Sequence, residues 1–234
     1  MAHPLLPNHL AKTEAQGLVP NEAIAQYEIG SLKNFVYLLV DWADKTAAWV
    51  DPQSDLSHPL SDLKKQKLQL THILLTHTHP DHIAGLGELA SQFPKAQIVV
   101  HPKDTHRLKA RHGLHLATQG EEIPLGKNTV IQVHHTPGHS AGECSYFIPA
   151  QGQRPPYLFT GDTLFIRDCG RTDFPDSSNE EMFASLQALK KLPRETVILP
   201  GHHYKNECAS TLAREIEESA PLKCRSVQEL ADLP

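Results

Sequence analysis

The sequence predicts an α/β (α+β) protein, on three observations. Short apolar, β-favouring runs recur at 35–40, 47–50, 73–75, 98–100, 130–133, 157–159 and 197–199. Between several of them stand stretches whose apolar residues repeat at helical spacing. Four of the runs lead directly into histidine or aspartate, and those four endings organise the chemistry.

Residues 1–20 are polar and proline-broken, and read as an N-terminal arm. The runs 35–40 and 47–50 form a hairpin around a turn from Trp42 to Lys45. Asp51-Pro52 ends its second strand, because proline restricts its predecessor and withdraws a donor. Asp51 itself reads as a surface turn residue, with support of a metal ligand as the alternative.

Residues 56–66 read as a helix feeding the strand that ends near Leu75. Residues 83–93 read as one helix closed by Pro94, with Ile83, Leu86, Leu89 and Ala90 near one face. A strand at 98–100, a short helix at 102–111, a turn-containing edge at 121–127 and a strand at 130–133 follow. Another strand begins near Cys144, and 149–156 is a hairpin loop. Residues 180–192 form an amphipathic helix capped by Ser178 or Asn179 and ended by Pro193, with Met182 in the core. Residues 209–218 read as a final, surface-facing helix within a helical tail at 205–234. The expectation is a single domain over 1–234, long enough for a substantial core.

A formal charge of −5, with no Lys/Arg block or aromatic-interleaved basic stripe, argues against nucleic acid as a partner. No run approaches membrane-spanning length and no secretory signal is present, so a cytoplasmic protein without a membrane partner is expected. Cys144, Cys169, Cys208 and Cys224 are scattered without a C-x-x-C pair, which requires neither a disulfide framework nor a zinc ribbon. Histidine is the unusual residue, at 16 copies.

Its grouping carries the functional argument. Thr76-His77-Thr78-His79-Pro80-Asp81-His82 places three imidazoles and a carboxylate directly after an apolar strand, which builds a metal pocket. Pro137-Gly138 presents His139, Gly161-Asp162 follows the run at 157–159, and Gly201-His202 follows the run at 197–199. His134 and His135 are lesser alternatives. His101, His106, His112 and His115 lack tight spacing and read as surface or hydrogen-bonding histidines.

Imidazole with carboxylate suits Zn(II), Fe(II) or Mn(II), with no thiolate required. Three ligands suffice for one reactive metal. The candidates His77, His79, Asp81, His82, His139, Asp162 and His202 suffice for two, with Asp162 able to bridge.

These stretches resemble the metallo-β-lactamase superfamily: Thr-His-Thr-His-Pro-Asp-His at 76–82, Thr-Pro-Gly-His at 136–139, Gly-Asp at 161–162 and Gly-His at 201–202. The likeness runs from about Phe35 to Tyr204. It implies a four-layer αββα sandwich with metals between the loop ends of two sheets. It also implies one metal on His77, His79 and His139, another on Asp81, His82 and His202, and Asp162 shared.

Within that superfamily, the segment from Thr160 to Arg171 is similar both to hydroxyacylglutathione hydrolases (glyoxalase II) and to persulfide dioxygenases. Met182, Ser185, Leu186, Leu189, Leu192 and Pro193, with Gly201-His202-x-Tyr204, also resemble the hydrolases. Thr172-Asp173-Phe174 departs from them, and the 30 residues after Tyr204 are fewer than their separate helical domain takes. Ile166-Arg167 and Cys169 to Phe174 resemble the dioxygenase signature, with Asp168, Pro175 and His203 in place of its usual Gly, Gln and Asp.

The favoured expectation is a metal-dependent hydrolase of small molecules, a glyoxalase II-like thioesterase with two Zn(II) ions. Hydroxide on the metals attacks the thioester, Asp81 orients it and Tyr204 donates to substrate. The alternative is a glutathione persulfide dioxygenase with one Fe(II) on His77, His139 and Asp162. In the dioxygenase reading Arg171 and Tyr204 face glutathione; the structural alternative for Arg171 is an ion pair with Asp168, Asp173 or Asp176. A nonenzymatic metal-binding interaction module ranks third. A glutathione conjugate is the expected kind of partner, and a homodimer is left open.

Overall fold

The computed structural model describes residues 17–109 and 113–233. The arm up to residue 16, the end of the helix expected over 102–111 and His112 lie outside the described residues.

One sheet takes its strands in sequence order: β1 (Ile24–Ile29), β2 (Asn34–Asp41), β3 (Thr46–Val50), β4 (Gln69–Leu74), β5 (Gln97–Val100) and β6 (Leu114–Leu116). The first three are antiparallel, and β3 to β6 are parallel. The other sheet is ordered β12-β11-β10-β9-β8-β7, from β7 (Glu122–Pro124), β8 (Val130–His135), β9 (Cys144–Ile148), β10 (Tyr157–Gly161), β11 (Val197–Pro200) and β12 (Ser210–Thr211). Within it, β8, β10 and β11 run the same way. Strands that share a direction release their following loops at one end of a sheet, which is where open α/β sheets bind ligands.

Apolar side chains cover both faces of both sheets. Leu39, Val50, Leu74 and Val99 meet Ile131, Tyr146, Phe159 and Leu199 between the sheets. A second cluster lies under α1 (Ser57–Gln66) and α3 (Leu86–Gln92), and a third under α4 (Asn179–Leu189) and the C-terminal helices. The layers are therefore α, β, β, α. Burial on both faces is why β2 reads as a continuous apolar run rather than an alternating one, and all eight of its residues are buried. Ser178 caps α4 by accepting from Glu181 N, and Met182, Leu186 and Leu189 form its buried stripe.

Three expectations change. The helix over 83–93 is two: α2 (Pro80–Ile83) and α3, broken at Gly85. Gly85 N–H donates to Pro52 O, and a β-carbon there would run into the carbonyl of Gln53, so a long-range backbone contact interrupts the periodic pattern. The helix expected from Pro102 is a 3-10 turn, Pro102–Arg107, capped by His101. The helix at 209–218 is neither final nor merely superficial: β12 precedes α5 (Leu212–Glu218), whose Leu212 and Glu215 are buried, and α6 (Ala220–Lys223) and α7 (Val227–Ala231) follow. Leu222 and Leu230 pack with the buried face of α4. None of the four cysteines is in a disulfide.

Candidate metal centre

The first sheet supplies four candidate ligands from the loop after β4. Thr76 N–H donates to Asp51 Oδ1 at 2.8 Å and its hydroxyl donates to Asp51 Oδ2 at 2.6 Å. Thr78 N–H donates to Asp104 Oδ2 at 3.0 Å. His79 is extended and Pro80 starts α2, so Asp81 and His82 leave on a helical turn while His77 and His79 leave on extended chain. His82 Nδ1–H donates to Asp51 Oδ2 at 3.0 Å. Asp51 does occupy a turn, at φ 52°, but it is 2% exposed. The surface reading of Asp51 is corrected: its carboxylate supports a ligand loop, because a buried charge persists only when hydrogen-bonded.

The second sheet supplies three candidates singly. His139 follows β8 and its Nδ1–H donates to Arg171 O at 2.9 Å. Asp162 follows β10, after Gly161 at φ 50°. His202 follows β11 and its Nδ1–H donates to Leu32 O at 2.9 Å. Gly201 is required beside it, since a β-carbon there would strike Asp162 Oδ1.

All seven side chains converge. One nitrogen each of His77, His79 and His139 lie within 4.8 Å of one another, as do the donor atoms of Asp81, His82 and His202. Asp162 stands between the two groups: its Oδ2 is 3.5 Å from His139 Nε2 and 3.4 Å from His202 Nε2, and its Oδ1 is 3.5 Å from His82 Nε2. Asp51, His77 and His82 also fall within 4.8 Å, but both Asp51 oxygens already accept hydrogen bonds and act as support.

The donor set fits divalent metal. His77 Nε2 and Asp162 Oδ1 are buried without a hydrogen-bond partner, a cost that bound cations would remove. Imidazole nitrogens face each other at 2.9 Å between His79 and His139 and at 3.1 Å between His82 and His202, while His139 and His202 use their other nitrogens on carbonyls. That arrangement aims lone pairs inward.

Electrostatics separates the groups. Burial, then the His82, His139 and His79 rings, holds His77 well below the usual imidazole range. Burial and the His139 ring push His79 down to about 4. Burial also opposes charge on His82, but Asp162, Asp51 and Asp81 outweigh it and push His82 up to about 9. Burial likewise opposes charge on Asp162, and His82, His202 and His139 overcome it to hold the carboxyl below its usual range.

A cavity of about 380 Å³ opens onto the cluster, walled by Phe165, Phe174, Tyr204 and Leu32 and floored by His79, Asp81, His139, Asp162 and His202. A larger cleft of about 760 Å³ contains none of the seven candidates, so volume alone does not mark the site. Tyr204 stacks on the His202 ring with centroids 4.8 Å apart. Arg171 lines the cavity, lies over Phe174 and pairs with Asp173; both members of the pair are well exposed.

His134 packs on Phe147, while His135 donates to Ala141 O and stacks on His101; His106 and His115 bond Lys103 O and Glu121. None of these joins the centre. Sequence reasoning missed Asp104, whose carboxylate accepts from Thr78 N, Ser140 Oγ and Gly142 N and so ties the two ligand loops together. It also missed Asn34, which donates to Asp81 Oδ2 at 2.8 Å, and the fully buried Glu143. Each is ordinary in sequence, and only the strand ends around it reveal its place.

An αββα sandwich with clustered His and Asp between the loop ends of its sheets defines a metal-binding class of protein. The family model of the metallo-beta-lactamase superfamily matches residues 32–202, and the chain belongs to that superfamily. It is 37% identical over 173 residues to a hydroxyacylglutathione hydrolase of Synechococcus sp., covering 73% of this chain and 65% of that protein. It is 33% identical over 184 residues to the mitochondrial persulfide dioxygenase ETHE1 of Mus musculus, covering 77% and 68%. The crystal structure of ETHE1 from Myxococcus xanthus superimposes with a TM-score of 0.78 at 29% identity, covering 91% of this chain and 92% of that one. The chain spans less than two thirds of the length of the Synechococcus hydrolase. Among the described residues, no helix is long and apolar enough to cross a membrane.

Proposed function

We propose that the chain is a metal-dependent hydrolase of a small-molecule thioester, of the hydroxyacylglutathione hydrolase kind, working with two zinc ions. The observation that carries this reading is the second group of donors. Asp81, His82 and His202 form a complete set of their own, and a single ion on His77, His139 and Asp162 leaves them without a task. In the two-ion reading His77, His79 and His139 would hold one ion and Asp81, His82 and His202 the other, with Asp162 lying between the two sets. Ions bound there supply a Lewis acid for the carbonyl oxygen and a nucleophile at neutral pH.

The remaining work falls to the chain. Asp81, steadied by Asn34, orients the attacking water through its carboxylate. Burial, with Asp162 and Asp81 nearby, pushes the Tyr204 phenol up to about 12, so it stays protonated and donates to the substrate. Arg171 meets a substrate carboxylate by leaving Asp173, a step that costs little because both members of the pair are exposed and solvent screens them.

The second reading is a mononuclear iron persulfide dioxygenase. It is supported by the likeness to the Myxococcus xanthus protein over nearly the whole of both chains and by the segment from Cys169 to Phe174. Metals per chain, measured on protein prepared anaerobically without added metal, test both. Near two zinc ions with thioester hydrolysis supports the first reading. One iron with oxygen uptake on glutathione persulfide overturns it.

A further inference from the structure

Behind His77 and Asp162 lies a carboxyl group with no part in the reaction proposed above. Glu143 begins the approach to β9 and has no exposed surface. Its Oε1 accepts from Asp162 N–H at 2.6 Å and stands 3.5 Å from His77 Nδ1. Its backbone is held from both sides as well: Thr136 N–H donates to Glu143 O, and Cys144 N–H donates to Thr76 O. The side chain therefore rises between the loop that carries His77 and the loop that carries Asp162.

Space has been left for it. A β-carbon on Gly161 would sit 2.5 Å from Glu143 Oε1, so the residue just before Asp162 must be bare for the carboxyl to reach the Asp162 amide. A buried acid also costs several kcal/mol unless hydrogen bonds or neighbours compensate, yet Glu143 Oε2 has no hydrogen-bond partner.

We propose that Glu143 is a positioning residue for the metal centre: its Oε1 holds the Asp162 backbone by a hydrogen bond and packs behind the His77 ring, whose Nδ1–H donates to Thr76 Oγ1. One atom thereby sets the distance between a ligand of the first group and the carboxylate shared by both. The inference rests on the reading that the site holds divalent metal, but not on which reaction follows. Groups that orient metal ligands from behind are worth ~10–100-fold in metal affinity.

Length and acceptor, rather than charge, define the role, and two substitutions separate them. Glu143→Gln keeps an oxygen acceptor at the same reach, while Glu143→Asp keeps the carboxyl and withdraws it by one methylene. The experiment is a Zn(II) titration of metal-free protein against a chromophoric chelator, with the visible spectrum of the Co(II)-loaded protein and the Tm of the metal-free protein recorded beside it. The expected result is a ~10–100-fold loss of Zn(II) affinity and an altered Co(II) spectrum for Glu143→Asp, with Glu143→Gln close to the wild type in both. Glu143→Met, which fills the space without an acceptor, replaces the Asp variant should that one fail to fold, and carries the same expectation.

Wild-type affinity in the Asp variant, or an equal loss in the Gln variant, overturns the positioning role. So does a fall in Tm in both variants with affinity and spectrum unchanged, which is what a purely structural carboxyl would give. If the wild-type protein itself fails to compete with the chelator for Zn(II), the metal reading fails first, and that outcome is distinct from a failure of Glu143.

Discussion

The candidate ligands contributed by the two sheets are oriented by different chemistry. Those from the first sheet lean on side-chain carboxylates: Asp51 holds His82 and Thr76, and Asp104 holds the backbone of Thr78. The histidines from the second sheet lean on backbone carbonyls, His139 on Arg171 O and His202 on Leu32 O. Carboxylate support is written into residue identity and can be deleted by substitution. Carbonyl support is written into loop path, and no side-chain change at its own position removes it.

The comparison can be broken outright at the one residue that both halves share. Asp162→Ala is expected to lower thioester hydrolysis by at least ~10²–10³-fold, the scale of losing a fixed electrostatic group at a reacting centre; kcat/KM at verified metal content is the measurement. His202→Ala probes the second group alone. It should fall similarly if two ions are needed, and high residual activity in fully loaded protein would instead favour the single-ion reading.

Substitution of a side-chain support is expected to cost less, and the two histidines held by backbone carbonyls should escape it. Asp51→Ala leaves Thr76 N and His82 Nδ1 without their acceptor, so metal affinity should drop ~10–100-fold. The fold should lose about 1–3 kcal/mol for each buried donor left bare, measured by chelator competition and by denaturant unfolding. On the second sheet, Leu32→Ala keeps the carbonyl that His202 uses. Its effect on affinity should stay within about 0.5 kcal/mol, as for an ordinary surface change, although Leu32 lines the cavity. A large loss there would erase the distinction between the sheets.

The smallest effect concerns the seam between them, where His101 after β5 stacks on His135 of β8. Burial, then His135 and Lys103, pushes His101 down to about 4 from an ordinary value of 6.5. The unfolded chain therefore binds the proton first, and the stability contributed by neutral His101 is complete above 6.5 and lost as pH falls toward about 4. His101→Phe keeps a stacked ring without a proton site. Between about pH 7 and pH 5 its Tm should fall by less than that of the wild type; parallel falls would remove His101 from the account.

Much of this was legible in the sequence because strand ends announce themselves. An apolar run followed by His or Asp marks both an element and the loop that carries candidate ligands, and the seven residues read in this way from 77 to 202 lie in two neighbouring groups with Asp162 between them. What failed to show was long-range. Gly85 looks like a tolerable helix residue until Gln53 packs on it. Asp51 looks like any Asp before proline, because nothing local says that its turn faces inward. Asp104 and Glu143 lie in a 3-10 turn and at a strand entrance, where acidic residues are common, and only the neighbouring sheet gives them partners. The short helices α6 and α7 carry too few residues for a periodic signal.

One hydroxyl decides more than its size suggests. Thr76 has a single proton to give, and it goes to Asp51 Oδ2; the side of its oxygen that meets His77 Nδ1, 3.1 Å away, can then only accept. The hydrogen of the His77 ring is thereby assigned to Nδ1 and withheld from Nε2. Asp51 Oδ2 takes the Nδ1 hydrogen of His82 directly. A single carboxylate oxygen, directly and through one threonine, thus fixes a hydrogen on the Nδ1 of a candidate ligand in each group and turns both Nε2 atoms toward the site.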